Sequence, residues 1–264
     1  MSLDDELSDL LIISLEQAVA APYCGLLLAS AGARVIKVER PEGDFARSYD
    51  NSINGKSAIF AWLNRGKESI SLDLKNKTDK KIFKNMLKKA DVFLSNLTPG
   101  SLEKLELDYK QVKALNPKLI FCEITGYGNS KLAHSKKAYD FLIQAESGLC
   151  SVTGTEKYPS KVGISITDLS TGLTAYSAIL RGIIKRSKTK KGISISISMF
   201  DVMADWMNMP LLAHRYMGGT PNRNGMKHSF IAPYGTFKCK NNDEILISIQ
   251  NNREFEVFCK KILK

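Results

Sequence analysis

The chain has 264 residues, of which 44% are hydrophobic and 25% charged. That suits one large domain or a domain and a half and excludes a disordered or fibrous protein. Folding at this size buries roughly 70–75% of the unfolded surface, so no disulfide framework or structural metal is required. Lysine and arginine outnumber aspartate and glutamate by 38 to 27, a net charge of +11, which favours anionic partners such as nucleic acid, anionic lipid or a phosphorylated small molecule.

Leu11–Ser14 (LIIS) is a short apolar run and predicts a buried strand. Pro22 suits a helix start, and PYCGLLLASAG predicts a helix closed by Gly32, after which Arg34–Glu39 (RVIKVE) returns as a strand. Strand, helix and strand within about thirty residues form a βαβ unit and imply a parallel sheet. Ser69–Leu72, Asp91–Ser95 and Leu119–Ile124 predict further strands, and Lys77–Lys89 a helix burying Ile82, Phe83, Met86 and Leu87. The lysines around that helix read as a solvated face. Turn chemistry separates these elements at Pro41–Asp44, Pro99-Gly100, Asn116-Pro117 and Gly126–Gly128.

A long apolar helix is predicted over Leu169–Lys185, ending in KRSKTKK, whose cations suit a helix C-terminus. The strand Ile193–Ser198 (ISISIS) and one long helix over Met199–Tyr216 follow. Residues 1–221 therefore read as a doubly wound, Rossmann-like α/β domain. Beyond a polar stretch, Tyr234–Phe237 and Glu244–Ile249 predict antiparallel strands, and one helix ends the chain. Residues 222–264 thus look like the start of a smaller α+β domain, cut short.

Five cysteines without CxxC spacing read as free thiols, and the acidic start MSLDDELSD is unlike a signal peptide, so a cytoplasmic protein is expected, with no membrane-spanning segment. No zinc-finger or recognition-helix pattern accompanies the charge, so no nucleic-acid partner is expected. His134, His214 and His228 are not at metal spacing, and no metal site is expected. LEQAVAAP stands where a dinucleotide-binding glycine loop would follow the first strand, and GxxxxGK[ST], HExxH and GxSxG are absent. What remains is Asp168, in VGISITDLSTGL at the start of the long apolar helix. From the residues alone the favoured reading is a helix N-cap, worth about 1 kcal/mol, ahead of a desolvated carboxylate able to attack an activated carbonyl.

Several segments in order resemble family III CoA-transferases, the carnitine dehydratase/bile-acid-inducible family that includes formyl-CoA transferase. They are EQAVAAPYCG, LLASAGARVIKVERPEGD, NRGKESISLDLK, ADVFLSNLTPGSLEKLEL, NPKLIFCEITGYG, AYDFLIQAESGL and GISITDLSTGLTAYSAILRGI. The resemblance implies an acyl-CoA:carboxylate CoA-transferase with Asp168 as the nucleophile, working through an aspartyl–acyl anhydride and an aspartyl-CoA thioester. Coenzyme A enters as a substrate, and no permanently bound cofactor is implied. By the same resemblance, Gln17, Ala18 and Val19 lie against the CoA thiol arm, Arg40 beside the adenosine and Leu72 in the adenine slot. Asn96 corresponds to a pantetheine or active-site contact. Lys104 stands for an arginine near the phosphates, a looser contact because lysine lacks the bidentate fork. Lys137 and Tyr139 lie just before the active site, where Asp140 replaces a glutamate.

GMKHSFIAPYGTF resembles transferases of succinyl, mesaconyl, itaconyl or glutaryl groups, and Arg223 and His228 are candidates for a distal carboxylate. The alternative for that loop is a polar interdomain linker. The family's homodimers of interlocked rings are expected, although its members are longer than this chain. A racemase acting on 2-methylacyl-CoA is the alternative within the superfamily, but Tyr139 stands where its histidine base is needed. An inactive CoA-binding remnant is the other alternative.

Overall fold

A computed structural model describes residues 5–128, 130 and 136–263; His134 lies outside them. Two compact units emerge. One comprises the described residues through Ile143 together with Gly163–Trp206, the other Gln144–Val162 and the residues from Met207 onward. The second unit thus takes in more of the chain than the stretch from 222 read from the sequence.

The first unit is built on six parallel strands: β1 (Leu11–Leu15), β2 (Arg34–Glu39), β3 (Glu68–Ser71), β4 (Val92–Ser95), β5 (Ile120–Thr125) and β6 (Ile193–Ser198), in the spatial order β3-β2-β1-β4-β5-β6. This is a doubly wound arrangement, and the order reverses between β1 and β4, which pair in register from Ile12 opposite Val92 to Leu15 opposite Ser95. Alternation along the strands sends Ile13, Leu15, Val38, Phe93 and Phe121 to one face. There they meet Phe83 and Leu87 of α3 (Lys77–Leu87), with Phe83, Phe93 and Phe121 stacked edge to face at 5.7 and 5.5 Å. Ile82 does not join that stripe: it is exposed, because the face set by Phe83 and Leu87 leaves it at the margin.

The helices α1 (Ala20–Ser30) and α8 (Ile166–Thr189) belong to the same unit and pack against each other. Between β2 and β3 lie a short 3-10 turn (Phe45–Ser48) and α2 (Ala58–Asn64); α4 (Ser101–Lys104) and α5 (Tyr109–Leu115) link β4 to β5. The last turn of α8 carries Arg186 and Lys188, the cations expected there. All five cysteines are free thiols, with Cys24 and Cys122 buried. Among the described residues no helix is long and apolar enough to cross a membrane.

The helix expected over Met199–Tyr216 is two helices, α9 (Met199–Trp206) and α10 (Asn208–Tyr216). Pro210 has no N–H to donate to the Trp206 carbonyl, so the ladder breaks at Met207 while proline is tolerated in the new first turn. The chain passes between the units along α6 (Asp140–Glu146), and α7 (Leu149–Val152) lies in the second. The second unit also holds the antiparallel pair β7 (Tyr234–Lys238) and β8 (Glu244–Ser248), in register Tyr234 opposite Ser248, and then α11 (Asn252–Phe258).

Candidate functional site

In an open doubly wound sheet the crevice at the carboxyl ends of the strands, where the order reverses, is the natural place for a ligand. Here the turn after β1 and the loop after β4 face each other across it. Asn96 accepts from the Gln17 N–H at 2.9 Å and donates through Nδ2 to the Gln17 carbonyl at 2.8 Å. Ala18, the next residue, has φ +62°, a left-handed conformation unusual for a residue with a Cβ. Its N–H donates to Asp44 Oδ1 at 3.2 Å.

A cavity of about 410 Å³ opens at this point. Gln17, Ala18 and Asn96 line it from the strand ends, and Phe45 and Tyr49 from the loop after β2. Lys136, Lys137 and Tyr139 come from the segment after β5, with Asp140 and Asp168 beside them. Lys136 Nζ lies 4.3 Å from the centre of the Tyr127 ring.

Asp168 is not an N-cap. Ser165 occupies that position and Asp168 is three residues in, within the first turn of α8. The cap comes from Asp140, whose Oδ1 accepts from the N–H groups of Thr167 at 2.7 Å and Asp168 at 3.2 Å. Those two donors are therefore committed to Asp140 and are not free to hold a ligand oxygen. Burial, with the Asp140 charge added, pushes the Asp168 carboxyl up to about 7. Burial, Asp168 and Asp44 push the Tyr49 phenol up to about 12, which keeps its proton in place at neutral pH.

Gly172, one turn beyond Asp168, explains how α8 comes so close to the strand ends. A Cβ there would stand 2.5 Å from the Ala20 carbonyl oxygen and 3.2 Å from the Cys24 nitrogen, so only glycine permits this approach to α1. The N-terminus of α1, beside Ala18, has no side-chain cap, since Val19 at that position is a hydrocarbon.

A second cavity, about 190 Å³, adjoins the first, and Gln17 and Leu97 line both. Its walls are mainly apolar, from Val38, Leu72, Leu74 and Leu105, with Arg40 and Lys75 and the acidic Glu16, Glu39, Asp44 and Asp73 also lining it. Arg40 donates through Nε to the Gly43 carbonyl at 2.9 Å.

Of the residues singled out from the sequence, Gln17, Ala18, Asn96, Lys137, Tyr139, Asp140 and Asp168 come together around the larger cavity, and Arg40 and Leu72 around the smaller. Val19 is buried at the start of α1, and Lys104 ends α4 beside Leu105; neither is a lining residue. Arg223 and His228 belong to the second unit. The Arg223 guanidinium is held by the carbonyls of Ser151, Thr155 and Glu156 at 2.9–3.1 Å. His228 Nδ1 accepts from the Phe230 and Ile231 N–H groups at 3.1 Å, and its ring stacks on Tyr234.

Sequence reading missed Tyr49, Asp44, Lys75 and Leu97. Each follows the carboxyl end of a strand, in a loop that a doubly wound sheet aims at its ligand crevice, and that position was the available signal.

The profile described as CoA-transferase family III matches residues 7–264. Over 95% of its length the chain is 35% identical to an acetyl-CoA:oxalate CoA-transferase of Acetobacter aceti, covering 65% of that protein. It is 36% identical to a succinyl-CoA:glutarate CoA-transferase of Mus musculus over 94% of its own length and 58% of the relative's. The chain thus spans less than two thirds of the length of either relative. A crystal structure of a CAIB/BAIF family protein from Brucella suis superposes with a TM-score of 0.87 at 34% identity, covering 97% of this chain and 69% of that one.

Proposed function

This chain belongs to CoA-transferase family III, and we propose that it moves coenzyme A from an acyl-CoA thioester to a free carboxylic acid, with Asp168 as the nucleophile. The observation that carries this reading is the Asp168 carboxyl beside the crevice where the strand order reverses, next to an apolar slot that shares Gln17 and Leu97 with its cavity. Coenzyme A has a flat base at one end and a thiol at the other. The small cavity, walled by Leu72 and Leu105 and lined also by Arg40 and Lys75, suits the adenosine end, with Lys104 beside it for the phosphates. The larger cavity suits the thioester.

An Asp168 oxygen attacks the thioester carbonyl, the C–S bond breaks, and CoA leaves as a thiolate. The thiolate then attacks the aspartyl carbonyl of the resulting anhydride, which releases the donor acid as a carboxylate and leaves an aspartyl-CoA thioester. The acceptor carboxylate attacks that thioester, and the returning thiolate takes the new acyl group and regenerates Asp168. Burial raises the energy of the free carboxylate, which favours attack over rest. The uncapped N-terminus of α1 and the protonated Tyr49 supply positive potential where oxygen charge develops.

Acyl groups of the succinyl, mesaconyl, itaconyl or glutaryl kind are the proposed substrates. The relatives' names, which specify oxalate and glutarate, support dicarboxylates, as do Lys136 and Lys137 at the cavity. Arg223 and His228 are secondary candidates for the distal carboxylate. A cytoplasmic homodimer of interlocked rings completes the proposal. Intact-protein mass after incubation with succinyl-CoA tests it: a CoA-sized covalent adduct on the wild type and none on Asp168→Ala supports the reading. Equal adducts on both, or none from succinyl-, mesaconyl-, itaconyl- or glutaryl-CoA, contradict it.

A further inference from the structure

Lys37 sits in the middle of β2 with its side chain 1% exposed, on the strand face opposite Val38. A buried ammonium at such a place is costly, and a methionine of similar volume would pack without that cost. Its partners account for it. Lys37 Nζ lies 2.7 Å from Asp44 Oδ2 and 3.9 Å from Glu16 Oε1, and Glu16 is bonded in turn to Lys67 Nζ. All four side chains are buried. Gly25 of α1 leaves room for this chain of charges, since a Cβ there would stand 2.6 Å from Glu16 Oε2.

The chain of charges ends on backbone. Asp44 Oδ2 takes the Lys37 ammonium, while Oδ1 accepts from the N–H of Ala18 at 3.2 Å and of Ala46 at 2.9 Å. Ala18 is the left-handed residue of the turn that lines the Asp168 cavity. Such a conformation persists only when its surroundings over-determine it. Asn96 fixes the preceding residue from the β4 side, and Asp44 fixes Ala18 from the β2 side.

We propose that Lys37 and Asp44 form a positioning pair that locks the Gln17–Ala18 turn in its left-handed conformation beside Asp168. The lock sets the backbone against which the reacting carbonyl is placed, and its bearing on turnover rests on the transferase reading above. Lys37 lines neither cavity and its ammonium points at Asp44; Asp44 lines the smaller cavity and reaches the turn beside Asp168 through the Ala18 N–H.

The test uses Lys37→Met, Asp44→Asn and the double variant, with two readouts on the full chain. Amide hydrogen exchange over residues 16–19 reads the lock directly, and steady-state kinetics reads its effect on transfer. Exchange there should quicken about tenfold or more in each variant while β4 and α3 exchange as in the wild type. In Lys37→Met, whose side chain lines neither cavity, the kcat should fall about tenfold or more with KM for acyl-CoA within about threefold. The double variant should be no worse than the poorer single, because both remove the same interaction. Should Lys37→Met leave the Asp44 carboxylate unpaired and fail to fold, the neutral double variant decides the matter. Unchanged exchange at 16–19 in folded variants overturns the lock, as does a kcat that stays at the wild-type value. If the wild type forms no aspartyl adduct, the exchange result still decides the positioning, and it is the transferase reading that fails.

Discussion

The two adjoining cavities of the first unit are both lined by charged groups, but only the smaller is walled by the sheet's apolar core. The smaller is walled by leucines and a valine that also belong to the sheet's main apolar core or pack against it, and Glu16, Glu39, Arg40, Asp44, Asp73 and Lys75 also line it. The larger is ringed by two carboxylates, two lysines and a left-handed alanine. The apolar wall of the first costs the fold little, because it is core that stops short of closing. The second holds a carboxyl raised by burial and a like charge and a strained turn, features that oppose stability, while the buried ions Glu16 and Asp44 line the first. Binding can be had from unfinished packing, whereas chemistry needs groups placed against their own preference.

The largest effect expected from breaking this contrast is at Asp168. Replacement by alanine should abolish the covalent adduct, a loss of about a thousandfold or more in turnover, while circular dichroism and chromatographic behaviour stay those of the wild type. Gly172→Ala comes next. The new methyl meets backbone atoms of α1, which cannot yield cheaply, so α8 shifts and carries Asp168 with it. Turnover should drop about a hundredfold, with about 1–3 kcal/mol of stability lost to overpacking in chemical denaturation. In the smaller cavity, Arg40→Ala should raise KM for acyl-CoA about fivefold at unchanged kcat, the pattern of lost uniform binding.

Three finer predictions concern charge. As the proposed nucleophile, Asp168 would react as the carboxylate, so the rate of adduct formation should rise with pH through about 7 and level off above it. Asp140→Asn keeps an oxygen for the Thr167 and Asp168 N–H groups and removes the like charge, so the midpoint should move to lower pH. Burial remains, so it should not return to an ordinary aspartate value. The same raised carboxyl weakens the fold as pH climbs. In the range between an ordinary aspartate value and about 7 the native state holds the proton and the unfolded state does not, so stability falls with rising pH there. Asp168→Asn removes that penalty and should raise stability at neutral pH by about 1–2 kcal/mol, after allowance for the carboxyl's partial exposure. Thermal melts across pH read it.

The sheet was legible in the sequence because its strands, the mostly polar β3 (ESIS) apart, carry apolar or β-branched residues in runs or alternation between turn signals, and RVIKVE and ISISIS fall on β2 and β6 residue for residue. Short helices were not. The seven residues of α2 are held by Ser57 at the N-cap and by Asp50, which accepts from the Ser57 hydroxyl and the Ala58 and Ile59 N–H groups, and no apolar period announces them. Most of the candidate residues inside the resembling segments line one of the two cavities, but their hydrogen bonds to one another were not legible. Nothing local says that Asp140 caps a helix 28 positions on, or that Asp44 reaches back 26 positions to Ala18. The capping pattern around Asp168 was misread for the same reason: the carboxylate that satisfies the α8 N-terminus arrives from another segment.

The most direct test of the account is the identity of the atom that carries coenzyme A. Wild-type protein loaded with succinyl-CoA, quenched with hydroxylamine, digested and mapped by mass spectrometry should carry a hydroxamate on Asp168 and nowhere else. A hydroxamate on Asp140 or another carboxylate, with Asp168 unmodified, would contradict it.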